Sequence, residues 1–291
     1  MISCSTDTYG FAWVDVVLGA QVASPTVTVT AAGGTAPVYV YIVAPPAITT
    51  AGVVNAASST SPITPGSYIA IFGTNLVDTY YLMNPNGDGP MLTASNDLPM
   101  VIDGTTVSFD VPSAGISVPG HLTYVSPLQV NVQVPWELAG QASVQVKVSM
   151  DDGYLLGNVA TVPMAQYTPS FFVAGGTIAA QDASTYAYIL ASNPAHSGEI
   201  LALYANGLGP VTNAPASGAP APGAPNLAAT TTQPVVMIGG QQAQVSFSGL
   251  APGYPGLYQI NATVPAGLTG NQNVTVSIGG QTSPVVVLPV K

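Results

Sequence analysis

The sequence predicts an all-β protein made of two tandem β-sandwiches preceded by an N-terminal β arm. Three observations predict this fold class: a module that occurs twice, short β-type runs separated by turn residues, and almost no segment with helical periodicity. The duplication is clearest between residues 124–148 and 258–278, where Asn131 and Asn261 lie 130 positions apart. A module repeated in this way is expected to be a scaffold with its own hydrophobic core.

The chain divides into three predicted parts: an N-terminal β arm and linker over residues 1–50, a first module over 51–165 and a second over 166–291. Each module has the length of an ordinary domain. Hairpin signals recur inside them, because Asp103-Gly104 lies between two β-type runs of the first module and Gly239-Gly240 takes that place in the second. The modules are therefore expected to be antiparallel sandwiches.

The N-terminal arm contains a β-type run at residues 11–18 that is apolar on both alternate sets, as in a strand covered on both faces. A linker is predicted at residues 45–50, and leading strands of the second module are predicted at 171–173 and 187–191. The arm is too short to close a sandwich by itself. It is therefore expected to complete either the first module of its own chain or a neighbouring molecule.

Charged residues make up only 5% of the chain, and its 2 basic residues stand against 12 acidic ones. Nucleic acid is therefore a poor partner, because phosphate binding needs clustered basic side chains. A chain kept in solution by hydroxyl and amide groups favours an extracellular or cell-surface location. The single cysteine, Cys4, allows no intrachain disulfide, and the apolar run at residues 11–20 is too short for a transmembrane span.

The sequence offers little for catalysis, so no catalytic residue, cofactor or metal site is predicted and the protein is expected not to be an enzyme. Acid–base catalysis needs a tunable base beside an activated group, whereas His121 and His196 are expected to be surface residues near turns. Glu137 and Glu199 are expected at solvated module edges rather than as a glycosidase pair. No Gly-x-Ser-x-Gly elbow or histidine pair with metal spacing occurs.

Four stretches of the two modules carry a family resemblance: PGSYIAIFGTNL (65–76), YVSPLQVNVQVPWELAG (124–140), LALYANGLGPV (201–211) and APGYPGLYQINATVPAGL (251–268). They resemble the uncharacterised C-terminal region shared by many secreted Solibacter-type acidobacterial proteins. The first stretch is also similar to the start of immunoglobulin-like IPT/TIG domains. The resemblance covers residues 52–290. It implies secretion and an immunoglobulin-like β-sandwich fold, and it implies no activity.

Self-assembly is the function predicted first. Strand addition to a neighbour's sheet uses main-chain hydrogen bonds and pockets for alternate side chains. The N-terminal arm is predicted to donate such a strand through Phe11, Trp13, Val14, Val16 and Leu18. Head-to-tail addition propagates as a filament of identical chains. Removing residues 1–22 is therefore expected to leave a folded monomer that cannot polymerise.

The alternative is a monomeric cell-surface adhesin or carbohydrate-binding module that binds surface glycans. Its predicted ligand loop follows the first strand of the first module and contains Tyr80 and Tyr81, whose rings suit a sugar-binding platform. Trp136 is expected to pack on the module edge instead. A third interpretation, an accessory domain of an enzyme, requires a catalytic partner in a longer precursor.

Overall fold

The computed structural model describes residues 44–77, 87, 89, 97–150 and 155–291. In this part the chain is all-β and folds into two immunoglobulin-like β-sandwiches, which confirms the predicted fold class. Each sandwich has two antiparallel sheets whose inward side chains enclose a separate core. The N-terminal arm lies outside the described residues, and with it the predicted self-assembly residues Phe11, Trp13, Val14, Val16 and Leu18.

The first sandwich places the sheet β1-β2-β6-β5 against the sheet β4-β3-β7-β8. Its strands are β1 (Ala47–Asn55), β2 (Tyr68–Thr74), β3 (Thr106–Val111), β4 (Ile116–Pro119), β5 (His121–Val125), β6 (Gln129–Gln133), β7 (Ser143–Met150) and β8 (Leu155–Pro163). Two short 3-10 helices accompany them, η1 (Pro112–Ala114) and η2 (Trp136–Leu138). Side chains alternate along a strand, so Val130 and Val132 of β6 enter the core while Gln129 and Asn131 lie on the opposite, outer face.

The second sandwich shares one long strand between its two sheets. Its strands are β9 (Ser170–Phe171), β10 (Val173–Ala174), β11 (Thr177–Ile178), β12 (Ala180–Asp182), β13 (Ile200–Asn206), β14 (Val235–Ile238), β15 (Gln241–Leu250), β16 (Tyr258–Thr263), β17 (Gly270–Ile278), β18 (Gln281–Thr282) and β19 (Val286–Val290). The first part of β15 pairs with β14, and its second part pairs with β16. The sheet β12-β13-β16-β15 therefore continues into β14-β17-β18, with β19 beside β17.

The predicted two-residue turns are confirmed. Asp103 and Gly104 have φ of 46° and 69°, and Ile102 and Thr105 on either side exchange both backbone hydrogen bonds, at 3.2 and 2.8 Å. Gly239-Gly240 joins β14 to β15 with φ of 59° and 77°. Positive φ at both central residues is the requirement of the tightest hairpin turns, which explains the Asp-Gly and Gly-Gly pairs.

Two predicted segments are wrong. Residues 47–50 are not a linker but the first half of β1, because Ala47 pairs with Thr74 and the Asn158 side chain bonds both backbone groups of Ile48 at 2.8 Å. Residues 187–191 are not a strand and form only isolated bridges. Ile189 is anchored in the core, and the residues around it form a surface loop.

A buried polar network joins the two sandwiches, which belong to one compact unit over Val43–Lys291. Asn206, at the end of β13, is fully buried; its amide nitrogen donates to Tyr68 O and to Asn55 Oδ1, at 2.8 and 2.9 Å, and its oxygen accepts from Tyr68 N at 2.9 Å. The Asn55 amide donates to the carbonyl and hydroxyl oxygens of Thr168, at 2.9 and 3.1 Å. Because buried polar groups need partners, this network fixes how the two sandwiches meet.

The proline-rich segment of the second sandwich makes a second contact between them. Gly218 N donates to Gln133 Oε1 at 2.7 Å, and Gly218 O accepts from Leu98 N at 2.9 Å. Gly218 has a φ of 80°, and a Cβ there would lie 2.0 Å from His121 Nδ1, so a side chain at this position is excluded. Trp136 packs here against the core of the second sandwich, and its backbone N–H donates to Ser217 Oγ at 2.9 Å.

Candidate functional site

The outer face of the second sandwich carries a quartet of two aromatic and two amide side chains. Tyr204 on β13 lies directly opposite Gln259 on β16, and Phe247 on β15 lies opposite Asn261, just after a bulge. Gln259 Nε2 donates to Asn261 Oδ1 at 2.7 Å. Within the described chain this leaves Gln259 Oε1 and Asn261 Nδ2 without a hydrogen-bond partner, so the face presents one acceptor and one donor.

Three exposed tyrosines surround Tyr204. Tyr186 and Tyr188 are 74% and 66% exposed, and Tyr254 is 38% exposed. Gln181, whose side chain bonds Tyr204, is paired with Tyr188 through an isolated β-bridge, so Tyr188 lies next to Tyr204. Burial first, and then the phenols of Tyr254, Tyr188 and Tyr186, raise the pKa of Tyr204. We call Tyr186, Tyr188, Tyr204 and Tyr254 the tyrosine cluster. The Tyr204 hydroxyl donates to Gln181 Oε1 at 2.5 Å, which holds its ring in place.

Hydrogen bonds hold the loop that carries Tyr186 and Tyr188. Asp182 Oδ1 accepts from the backbone N–H groups of Ser184 and Thr185, at 2.8 and 2.6 Å, and Asp182 O accepts from Tyr186 N at 2.9 Å. Tyr186 itself has a φ of 61°, a left-handed conformation that costs a non-glycine residue about 1–2 kcal/mol. Residues held in such conformations are concentrated at ligand sites. The tyrosine pair is thus positioned before any ligand binds.

The loop of Tyr254 is held by both sandwiches. Gly253 N donates to Ala221 O at 2.9 Å, and Ala221 N donates to Tyr254 O at 3.2 Å. From the first sandwich, the Tyr68 hydroxyl donates to Pro255 O, and burial raises the pKa of this phenol. The contact between the sandwiches therefore also positions one member of the tyrosine cluster.

The predicted titratable residues do not come together as an active site. His121 is buried rather than on the surface, with its Nδ1 atom 3.2 Å from Leu98 O, so that prediction is wrong. His196 is exposed, and its backbone N–H donates to Glu199 Oε2 at 2.6 Å. Glu137 lies on η2 of the first sandwich and accepts from Ser217 Oγ at 2.6 Å, whereas Glu199 precedes β13 of the second. Among the described residues, no three histidine, cysteine or acidic side chains are grouped as metal ligands.

Glu199 and Asp182 interact near the tyrosine loop. Burial raises the pKa of Glu199, and Asp182 raises it further. Hydrogen bonds from Ser184, from Glu199 and from Thr185 hold the pKa of Asp182 well below its usual range. Asp182 therefore stays ionised to lower pH than an isolated carboxyl group, whereas Glu199 takes up a proton at higher pH than an isolated one.

The predicted ligand loop is not described at Tyr80 and Tyr81. Gly87 and Gly89, farther along the same loop, contact Tyr124 and the Thr123 carbonyl of β5. The tyrosine cluster was not predicted from the sequence, because residues 187–191, which include Tyr188, were interpreted as a leading strand of the second module. The signal that was available is that two large aromatic side chains lie on the same, solvent-facing side of that run.

No protein-family model matches the chain, and no curated protein matches it. Among solved structures it is similar to SGBP-B of the Bacteroides ovatus mixed-linkage glucan utilization locus, in complex with a mixed-linkage heptasaccharide, at 13% identity and a TM-score of 0.29 over 79% of this chain and 43% of that one. SGBP-B from a complex xyloglucan utilization locus in Bacteroides uniformis gives 13% identity and a TM-score of 0.26, covering 84% of this chain and 49% of that one. The N-terminal eight Ig domains of Down Syndrome Cell Adhesion Molecule give 10% identity and a TM-score of 0.20, covering 85% and 24%.

This chain spans less than half the length of each of these three proteins. At TM-scores this low, the function has to be argued from the chain's own surface. The described residues include no helix with the length and apolar character needed to cross a membrane.

Proposed function

We propose that the protein is an extracellular carbohydrate-binding protein that holds a neutral glycan on the tyrosine cluster of its second sandwich. The observation that carries the proposal is that the exposed side chains of Tyr186, Tyr188 and Tyr254 interact with Tyr204, which lies directly opposite the outward amide of Gln259. Aromatic rings pack against the apolar C–H faces of sugar rings. Amide groups bond the hydroxyl groups at the rim of a sugar, as donor and as acceptor.

Charge favours a neutral ligand. The chain has 2 basic residues and a formal charge of −10, so it offers no basic cluster for a carboxylate, sulfate or phosphate group. Glycans rich in uronic acid or sulfate would be repelled by the negative charge of the protein. They would also find no arginine side chain to bind their anionic groups through two hydrogen bonds. The polar groups of the quartet are amides and a phenol, which suit hydroxyl groups.

Preorganisation supports the proposal as well. The loops of Tyr186 and Tyr254 are held by hydrogen bonds, so binding does not have to order them. Rigid aromatic side chains give a large contact area at a small entropic cost. Self-assembly through residues 11–18 remains a prediction, because those residues lie outside the described part of the chain.

The test is binding of the purified protein to a panel of neutral polysaccharides and their oligosaccharides, measured by calorimetry. Tyr188→Ala and Tyr254→Ala are each expected to weaken binding about two- to tenfold, since an aromatic contact is worth about 0.5–1.5 kcal/mol and 1.4 kcal/mol is a factor of ten. Leu156→Ala is the matched control, because Leu156 is an exposed apolar residue of β8 in the first sandwich.

Two outcomes would contradict the proposal. In the first, the wild-type protein binds no member of the panel. In the second, it binds, and the tyrosine variants bind as well as Leu156→Ala does. Tyr80→Ala belongs in the same series, because a loss with this variant alone would place the ligand on the loop predicted from the sequence.

A further inference from the structure

The outer face of the first sandwich repeats the quartet of the second in the same register. Phe72 on β2 lies directly opposite Gln129 on β6, as Tyr204 lies opposite Gln259. Tyr124 on β5 lies opposite Asn131 just after a bulge, as Phe247 lies opposite Asn261. The first quartet is therefore Phe72, Gln129, Asn131 and Tyr124.

The amide pair is the same in both sandwiches. Gln129 Nε2 donates to Asn131 Oδ1 at 2.8 Å, and the corresponding distance in the second sandwich is 2.7 Å. Gln129 Oε1 and Asn131 Nδ2 have no hydrogen-bond partner in the described chain, so this face also offers an acceptor and a donor. Both residues lie 130 positions before their counterparts in the second sandwich. Phe72, opposite them, is 44% exposed. An outward phenylalanine contributes nothing to the core, whose members on β2 are Ile69 and Ile71.

Contacts join the two faces. Tyr68 and Phe72 lie on the same side of β2. They are four residues apart, which is about 13 Å along a strand. Its hydroxyl donates to Pro255 O, the residue next to Tyr254 of the tyrosine cluster. The buried network around Asn206 fixes the sandwiches at this point. The faces are therefore held in one arrangement rather than linked by a hinge.

We propose that Phe72, Gln129 and Asn131 of the first quartet form a second carbohydrate subsite, and that one neutral polysaccharide chain binds to them and to the tyrosine cluster together. This inference rests on the proposed function, since it assigns the same class of ligand to the matching face. Phe72 packs on a sugar ring, and Gln129 Oε1 and Asn131 Nδ2, which no described residue bonds, bond its hydroxyl groups. Two sites in fixed positions make the second binding event intramolecular, so a long chain binds far more tightly than a short one.

The experiment compares a polysaccharide that the wild-type protein binds with oligosaccharides of increasing length cut from it. Phe72→Ala is expected to lower the number of short oligosaccharides bound per chain from about two to about one, and to weaken polysaccharide binding at least tenfold. Asn131→Ala is expected to act in the same direction with a smaller effect. Leu156→Ala serves as the control, and circular dichroism confirms that each variant is folded.

The outcomes separate this inference from the proposed function. If the wild-type protein binds one oligosaccharide and Phe72→Ala matches Leu156→Ala on the polysaccharide, the second subsite is wrong while the tyrosine cluster stands. If the Phe72 variant changes binding and the tyrosine variants do not, the ligand binds to the first sandwich and the proposed function has the wrong site. If no neutral glycan binds, both are wrong.

Discussion

Asn206 shows how a single residue gives the second sandwich a role that its counterpart lacks. In the pairing register, Tyr204 corresponds to Phe72, so Asn206 corresponds to Thr74. Thr74 is exposed, whereas Asn206 is fully buried and makes three hydrogen bonds to the first sandwich. The next residues, Asn75 and Gly207, both have positive φ, of 56° and 69°. The turn conformation is thus shared, and of the two residues that precede it only Asn206 contacts the other sandwich.

Glu199 makes the stability of the second sandwich depend on pH. Burial raises its pKa above the ordinary value of 4.5, so folding favours its protonated form. The associated stabilisation is present below about pH 4.5 and is lost as the pH rises through the raised pKa. Glu199→Gln, which cannot ionise, is therefore expected to raise Tm at about pH 7 and to leave Tm unchanged at about pH 3.5.

Thermal unfolding of wild-type and Glu199→Gln protein across this pH range checks the expectation. Glu137→Gln is the control, because it removes the same charge from an exposed site in the other sandwich. A Tm difference of the same size at both pH values would show that the gain comes from something other than titration of Glu199.

At the scale of elements, bulges decide which side chains face outward. In β5 and in β15 the register shifts by one residue before Tyr124 and before Phe247. A one-residue slip moves a side chain to the other face of a sheet. Each bulge therefore brings an aromatic residue onto the outer face beside an asparagine, and without it the quartets would lose one member.

Gly240, in the turn between β14 and β15, shows what backbone conformation alone contributes to a hairpin. Gly240 has a φ of 77°, and a Cβ there would meet nothing within 4 Å. Gly240→Ala is therefore expected to lower the free energy of unfolding by about 1–2 kcal/mol, the cost of the left-handed conformation. Urea unfolding measures the loss.

Gly223→Ala is the matched control for that variant. A Cβ at Gly223 also meets nothing within 4 Å, and its φ is outside the left-handed range. This substitution is expected to leave stability unchanged or to raise it by about 0.5 kcal/mol. Equal losses in the two variants would show that the left-handed φ of Gly240 does not decide the cost.

For the whole molecule, the network around Asn206 predicts that the two sandwiches open together. Trypsin has one internal site, after Lys147, which lies in β7 between Ser108 of β3 and Val159 of β8. Cleavage therefore requires the first sandwich to open. Asn206→Ala, a change in the second sandwich, leaves Tyr68 N without its partner and costs about 1–3 kcal/mol. It is expected to speed cleavage after Lys147 about tenfold.

Thr74→Ala, at the corresponding position of the first sandwich, is expected to leave the cleavage rate within about twofold. The rates are read from the loss of intact protein on gels. Unchanged cleavage in Asn206→Ala, together with a lower Tm of the second sandwich, would show that the sandwiches unfold independently.

Local patterns in the sequence determined the fold class, the duplication and the hairpin turns, because alternation in β6 and positive φ at Gly240 depend on neighbouring residues only. The linker at 45–50 was wrong because β1 depends on Thr74 and Asn158, which are distant in sequence. The tyrosine cluster as a group could not be predicted either, since its members come from the β12–β13 loop, from β13 and from the β15–β16 loop, which are distant in sequence. Only the tertiary structure decided which aromatic residues share a surface, because that depends on how sheets pack and where their loops meet.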